Sequence, residues 1–232
     1  MQGCDRLSRF KELLHSHKMP PRTAADAVTP TAKDQDQHLR SLKTLKEQNT
    51  EVLFLGDSLT SFWPTQGPKS WRLLARYKPA NLGVSGDRTE HLLWRITNGE
   101  LDGINPKLVV VLIGTNNIGQ CQNEQPEWVA NAIEKIVGTV HASLPASRIL
   151  LMGLFPRNAR GSLEREKVGL VNARIQALDN GKDIRFLDIG ANFLDSDGNI
   201  PSDVMADQLH LTAKGYEIWF QNMKPLLDTM LH

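Results

Sequence analysis

From residue 51 onward, short apolar runs alternate with stretches of helical period. Glu51-Val52-Leu53-Phe54-Leu55 is the first run and ends in Gly56-Asp57-Ser58. Ala80-Asn81-Leu82-Gly83-Val84 is a weaker one. Residues 108–113 read LVVVLI, the strongest strand signal, and RILLMG (148–153) and IRFLD (184–188) follow. Unalternated apolar runs of this length suit strands buried on both faces, hence a parallel sheet. Between the runs, Leu92, Leu93 and Ile96 share one face over 89–97, and Asn98-Gly99 supplies a stop. Trp128, Val129, Ala132, Ile133, Ile136, Val137 and Val140 form a stripe over 126–144. Two more helices are predicted over 163–179 and 212–231. Strand–helix alternation repeated five times predicts an α/β, doubly wound domain with right-handed crossovers.

The first fifty residues follow a different pattern. Leu7, Phe10, Leu13 and Leu14 predict a short amphipathic helix over 1–17. Met19-Pro20-Pro21 through Thr29-Pro30-Thr31 reads as a loop by its prolines. Leu39, Leu42 and Leu45, three residues apart, predict a helix over 34–48. The chain therefore divides into an N-terminal helical arm and loop, 1–49, and one α/β domain, 50–232. An arm, a lid and an oligomer contact are equally compatible with the first part.

Composition narrows the function classes. Lys and Arg number 27 against 26 Asp and Glu, so neither a nucleic-acid footprint nor a polybasic membrane patch is expected. The two cysteines, Cys4 and Cys121, are too few for a disulfide framework or a four-cysteine zinc site. No run of about 18 apolar residues exists, so no transmembrane helix is expected. Asp5, Arg6, Arg9, Lys11, Glu12 and Lys18 interrupt the first twenty residues, which do not read as a secretory signal. A cytoplasmic location is the expectation.

In open parallel sheets, ligands bind beyond the carboxyl ends of the strands. Three polar clusters meet that rule: Gly56-Asp57-Ser58, Gly83-Val84-Ser85-Gly86-Asp87 and Gly114-Thr115-Asn116-Asn117. Ser58 at a strand-to-helix turn presents an exposed hydroxyl, with its own N–H near a helix N-terminus. Taken alone, Gly-Asp-Ser is better explained by an ordinary turn and an N-cap. A serine nucleophile needs a base. Of seven histidines, His210 stands out, because Asp207 precedes it by three residues, just before the last helix. Such a carboxylate orients the imidazole and stabilises its protonated form. A capping Asp beside a surface His fits the same spacing. Gly86 N–H, the Asn116 amide and Ser58 N–H are candidate donors to an oxyanion, though turns and Asx motifs also use these residue types. Trp63, Trp71 and Trp94 fall near the first two loops, as core or as a cleft rim.

These blocks, taken together and in order, are similar to the SGNH (GDSL-type) hydrolases. The hallmark residues of that family fall on Ser58, Gly86, Asn116 and His210. The stretches HLLWRITNGEL (91–101), VVVLIGTNN (109–117), GLFPR (153–157) and FLDSDGNI (193–200) resemble its platelet-activating-factor acetylhydrolase α-subunit branch. The resemblance covers roughly residues 50–231. It implies a three-layer flavodoxin-like fold and ester hydrolysis through an acyl-enzyme, with no metal or organic cofactor. In this reading Ser58 is the nucleophile, His210 the proton shuttle and Asp207 its orienter. Leu59, Thr115 and Leu209 wall a small acyl pocket that favours acetyl. Ser85 and Arg88 depart from the branch, and Arg88 is placed to change leaving-group recognition. The family also implies a homodimer. The substrate stays open between phospholipid-like and carbohydrate O-acetyl esters. A lysophospholipase or thioesterase of the same fold is an alternative, as is a non-catalytic flavodoxin-like module.

Overall fold

The apolar runs form five strands: β1 (Val52–Gly56), β2 (Pro79–Gly83), β3 (Leu108–Leu112), β4 (Arg148–Met152) and β5 (Ile184–Leu187). The structure is a computed structural model and describes residues 20–232. The helix expected over 1–17 lies outside the described residues. All strand pairs are parallel, in the order β2-β1-β3-β4-β5. Every residue of β1 and β3 is buried, as their unbroken apolar sequences require, whereas edge strand β5 is only half-buried. Gly56 pairs with Gly83 on one side and Leu112 on the other. The first three strands thus end level, and their loops emerge along one rim. The chain steps outward from β1 to β2 and then back across to β3, so this rim holds the topological switch point.

The helices are α1 (Ala24–Val28), α2 (Gln35–Glu47), α3 (Ser58–Ser61), α4 (Trp63–Gln66), α5 (Pro68–Leu74), α6 (Thr89–Arg95), α7 (Thr115–Gln120), α8 (Pro126–Ser143), α9 (Leu163–Ile175) and α10 (Ala213–Leu231). Their mutual contacts fall into two groups, α4–α5–α10 and α1–α6–α8–α9, one for each face of the sheet. Fully buried Trp63 stacks on Trp219 with ring centroids 4.3 Å apart and on Tyr216 at 5.4 Å. Trp71 meets Phe54 edge-on at 5.7 Å. Trp63 and Trp71 therefore pack the core. Among the described residues, no helix is long and apolar enough to cross a membrane.

The structure departs from the sequence reading in several places. A short helix, α1, interrupts the proline-rich stretch read as loop. There Thr23 N–H donates to the Asp26 carboxylate (2.6 Å) while Asp26 N–H returns to the Thr23 carbonyl (3.1 Å), a reciprocal cap. In α2 the buried face is His38, Ser41 and Leu45, and Leu39 is exposed. His38 sits 2.8 Å from the Asn98 carbonyl and edge-on to Trp94. Helix α6 ends at Arg95, two residues before its expected end, while the chain leaves helical geometry at Asn98 and Gly99, the stop the sequence predicts.

Residues 20–48 lie on the sheet-bearing domain. Arg22 is buried and pairs with Glu90 (2.7 Å) and Glu124 (2.6 Å). Fully buried Ala27 offers its carbonyl to Thr89 Oγ (2.8 Å).

Candidate active site

Ser58 is the first residue of α3, directly after β1. Asp57 caps that helix: its Oδ1 accepts the Leu59 N–H at 2.9 Å, and its carbonyl accepts the Ser61 N–H at 2.9 Å. Gly83, at the end of β2, lies so close that an added Cβ would stand 2.3 Å from Ser61 N and 2.8 Å from the Asp57 carbonyl oxygen. Tyr216 of α10 closes the other side by donating its hydroxyl to the Leu59 carbonyl (2.7 Å). The short helix is thereby fixed on two flanks.

The Ser58 hydroxyl lies 3.0 Å from His210 Nε2, and His210 Nδ1 lies 2.6 Å from Asp207 Oδ2. Asp207 Oδ1 also accepts the backbone N–H groups of Leu209 (3.0 Å) and His210 (2.7 Å). Partial burial pushes the Asp207 carboxyl up, but these hydrogen bonds outweigh it and hold the group below the usual carboxylate range. An ionised Asp207 makes Nδ1 the protonated nitrogen, so Nε2 faces Ser58 as an acceptor. Residues 207–210 form a tight turn in which Gln208 has φ +63° and its carbonyl accepts the Asn158 N–H (2.9 Å). The Phe62 ring lies 5.4 Å from the imidazole.

Asp57 behaves oppositely. It has no exposed surface, its Oδ2 has no hydrogen-bond partner, and burial pushes its carboxyl up to about 7.

The second loop turns at Gly86, whose φ of +77° lies in the left-handed region that glycine tolerates. Neither Ser58 N–H nor Gly86 N–H has an acceptor among the described residues. Asn116 donates one amide hydrogen to the Asp87 carbonyl (2.9 Å), which ties it to the Gly86 loop and leaves its second hydrogen unused. Buried Asn117 adds a second tie, accepting Thr89 N–H at 3.0 Å and donating to Thr89 Oγ at 2.9 Å. The Asp87 carboxylate is held by Arg95 (2.8 Å) and Lys33 (3.1 Å).

Leu59 is 2 % exposed and belongs to the core, Thr115 is buried, and Leu209 is half-buried beside His210. Arg157 donates to the Thr115 carbonyl (2.8 Å) and hydroxyl (3.1 Å). It stands just beyond β4, where the strand-end rule points, but the sequence reading assigned it no role. Arg88 turns aside to Glu90 (2.7 Å) and Gln120 (2.8 Å). Lys33 and Tyr216 were also unmarked, since nothing local in the sequence signals a contact across 50 or 150 residues. Among the described residues, no group of three or more His, Cys, Asp or Glu side chains is arranged to hold a metal ion.

Residues 54–218 match the GDSL-like lipase/acylhydrolase family. The chain belongs to that family. Platelet-activating factor acetylhydrolase IB subunit alpha2 of Gallus gallus is a relative, 37% identical over 195 residues, which span 83% of this chain and 82% of the relative. Two solved structures align with this chain. One is a GDSL-like lipase from Bacteroides thetaiotaomicron, 19% identical with a TM-score of 0.70, covering 84% of this chain and 98% of the other. The other is a carbohydrate acetylesterase from Sinorhizobium meliloti, 18% identical with a TM-score of 0.62, covering 78% and 99%. At these identities the two structures speak for the fold. Membership of the acylhydrolase family makes the protein a carboxylic ester hydrolase.

Proposed function

We propose that this ester hydrolase removes short acyl groups, acetyl foremost, through an acyl-enzyme on Ser58. The observation that carries the reading is the hydrogen-bonded chain Ser58–His210–Asp207. His210 Nε2 takes the hydroxyl proton as Ser58 Oγ attacks the ester carbonyl carbon. Asp207 holds the imidazole in the tautomer that accepts at Nε2 and stabilises the imidazolium that forms. Ser58 N–H, Gly86 N–H and the second Asn116 amide hydrogen take the developing oxyanion. His210 then returns the proton to the leaving alkoxide, and water releases the acid by the same steps. Leu59, Thr115 and Leu209 bound the acyl side. Lengthening the acyl chain there meets packed side chains, which favours acetyl. The curated relative named for an acetylhydrolase of platelet-activating factor supports a phospholipid-like alcohol portion over a carbohydrate one, because its likeness spans most of both chains.

The test is hydrolysis of p-nitrophenyl esters from acetate to laurate. Ser58→Ala should lose activity on the acetate ester by more than about 10⁴-fold, and the wild type should prefer acetate. An active Ser58→Ala would sink the mechanism, and an optimum at eight carbons or longer would sink the small acyl pocket.

A further inference from the structure

Lys33 lies between α1 and α2, yet its contacts are on the loop after β2. Its Nζ donates to the Ser85 carbonyl (2.5 Å) and to the Asp87 carboxylate (3.1 Å). These acceptors flank Gly86. A Cβ placed on Gly86 would stand 3.4 Å from the same Nζ, so the ammonium lies directly against the turn. Asp87 is the pivot of the arrangement. Its carboxylate joins Lys33 to Arg95, while its carbonyl holds Asn116. The ammonium thus acts on the backbone that carries one proposed oxyanion donor and on the residue that anchors another.

The rest of the segment keeps Lys33 in place. Arg22 is clamped between Glu90 and Glu124. Thr31 N–H donates to the Glu90 carbonyl (3.0 Å), and Ala27 holds Thr89. Thr89 and Glu124 both contact Asn117. A continuous set of hydrogen bonds therefore runs from residues 22–33 through the second loop to the start of α7. A glycine turn at positive φ has little stiffness of its own, and oxyanion donors act only when held near 3 Å from the developing charge.

We infer that Lys33 is a positioning residue for ester hydrolysis: by bridging Ser85 and Asp87 it holds the Gly86 turn and Asn116 in the geometry that receives the oxyanion. Residues 20–48 are then part of the catalytic unit. This rests on the proposed roles of Gly86 and Asn116. Lys33 is one-third exposed and Ser85 is exposed, so removing the ammonium leaves the fold intact while loosening the turn.

The experiment measures kcat and KM for p-nitrophenyl acetate in the full chain, comparing wild type, Lys33→Met, Lys33→Arg and Ser58→Ala. Lys33→Met should lower kcat at least fivefold with KM within threefold. Lys33→Arg, which keeps a cationic donor at the turn, should recover most of that loss. Labelling by a fluorophosphonate, whose adduct puts its oxygen in the same donor set, should slow in parallel with kcat. If Ser58→Ala is inactive, a kcat loss below fivefold in Lys33→Met overturns the inference alone. So does a loss carried by KM, or a Lys33→Arg no more active than Lys33→Met. An active Ser58→Ala overturns the acyl-enzyme reading and this inference with it.

Discussion

Asp57 is one peptide bond from Ser58 and has no access to solvent. Its carboxyl titrates near 3.8 when unfolded and is pushed up to about 7 by burial in the folded protein. Between those values the folded state holds the extra proton, so stability falls as pH rises from about 4 and the loss is complete above about 7. The scale of that loss is roughly 4 kcal/mol for about three pH units. Asp57→Asn keeps an acceptor for the Leu59 N–H and carries no charge. Its Tm relative to wild type should therefore become more favourable by several degrees between pH 5 and pH 8. A difference that stays flat across that range would show that Asp57 does not ionise at a cost. The sequence announces Asp57 as a cap residue. Its isolation from water depends on segments far away in sequence closing around it, with Gly83 of β2, Asp87, Arg157 and Tyr216 of α10 all nearby, and no local pattern carries that information.

At the scale of elements, the site depends on how closely the loops of the rim approach one another. Gly83 lets the end of β2 touch the turn that carries Ser58. A Cβ there meets the backbone of Ser61 and Asp57, so Gly83→Ala requires the α3 backbone to shift. It should destabilise by about 1–3 kcal/mol and lower kcat as well, because the same backbone presents the nucleophile. Gly138, exposed on α8 with nothing within 4 Å of a Cβ, is the contrast. Gly138→Ala should raise stability by up to about 1 kcal/mol and leave kcat unchanged. Thermal unfolding with kcat on the acetate ester checks both, and a Gly83→Ala of wild-type stability would refute the close-packing argument. The strands and the long helices were legible because buried runs and amphipathic stripes have their own period. Helix α2 formed where Leu39, Leu42 and Leu45 predicted it, over Gln35–Glu47, but their spacing did not say which face turns inward. The docking surface next to Trp94 and Asn98 instead selects His38, Ser41 and Leu45.

For the whole molecule, the question is what binds the first described residues to the sheet-bearing domain. Arg22 supplies a buried cation to two buried carboxylates. Arg22→Met leaves Glu90 with Arg88 and strips Glu124 of its ion pair, which should cost about 3–5 kcal/mol, or roughly 10 °C in Tm. A shift under about 2 °C in a thermal melt would show that the segment is held by other means. By itself, the sequence determined the layered α/β architecture, the rim where polar loops gather, and the residue types presented there. It could do so because burial on both faces of a parallel sheet dictates continuous apolar runs, and because tight turns and caps demand particular residues close in sequence. Only the tertiary structure decided that Ser58 and His210 meet at 3.0 Å, that Asp57 is dry, and that Lys33 reaches the Gly86 turn. Each of these is a contact between distant segments, whose distance is set by the packing of the elements between them and not by any spacing along the chain.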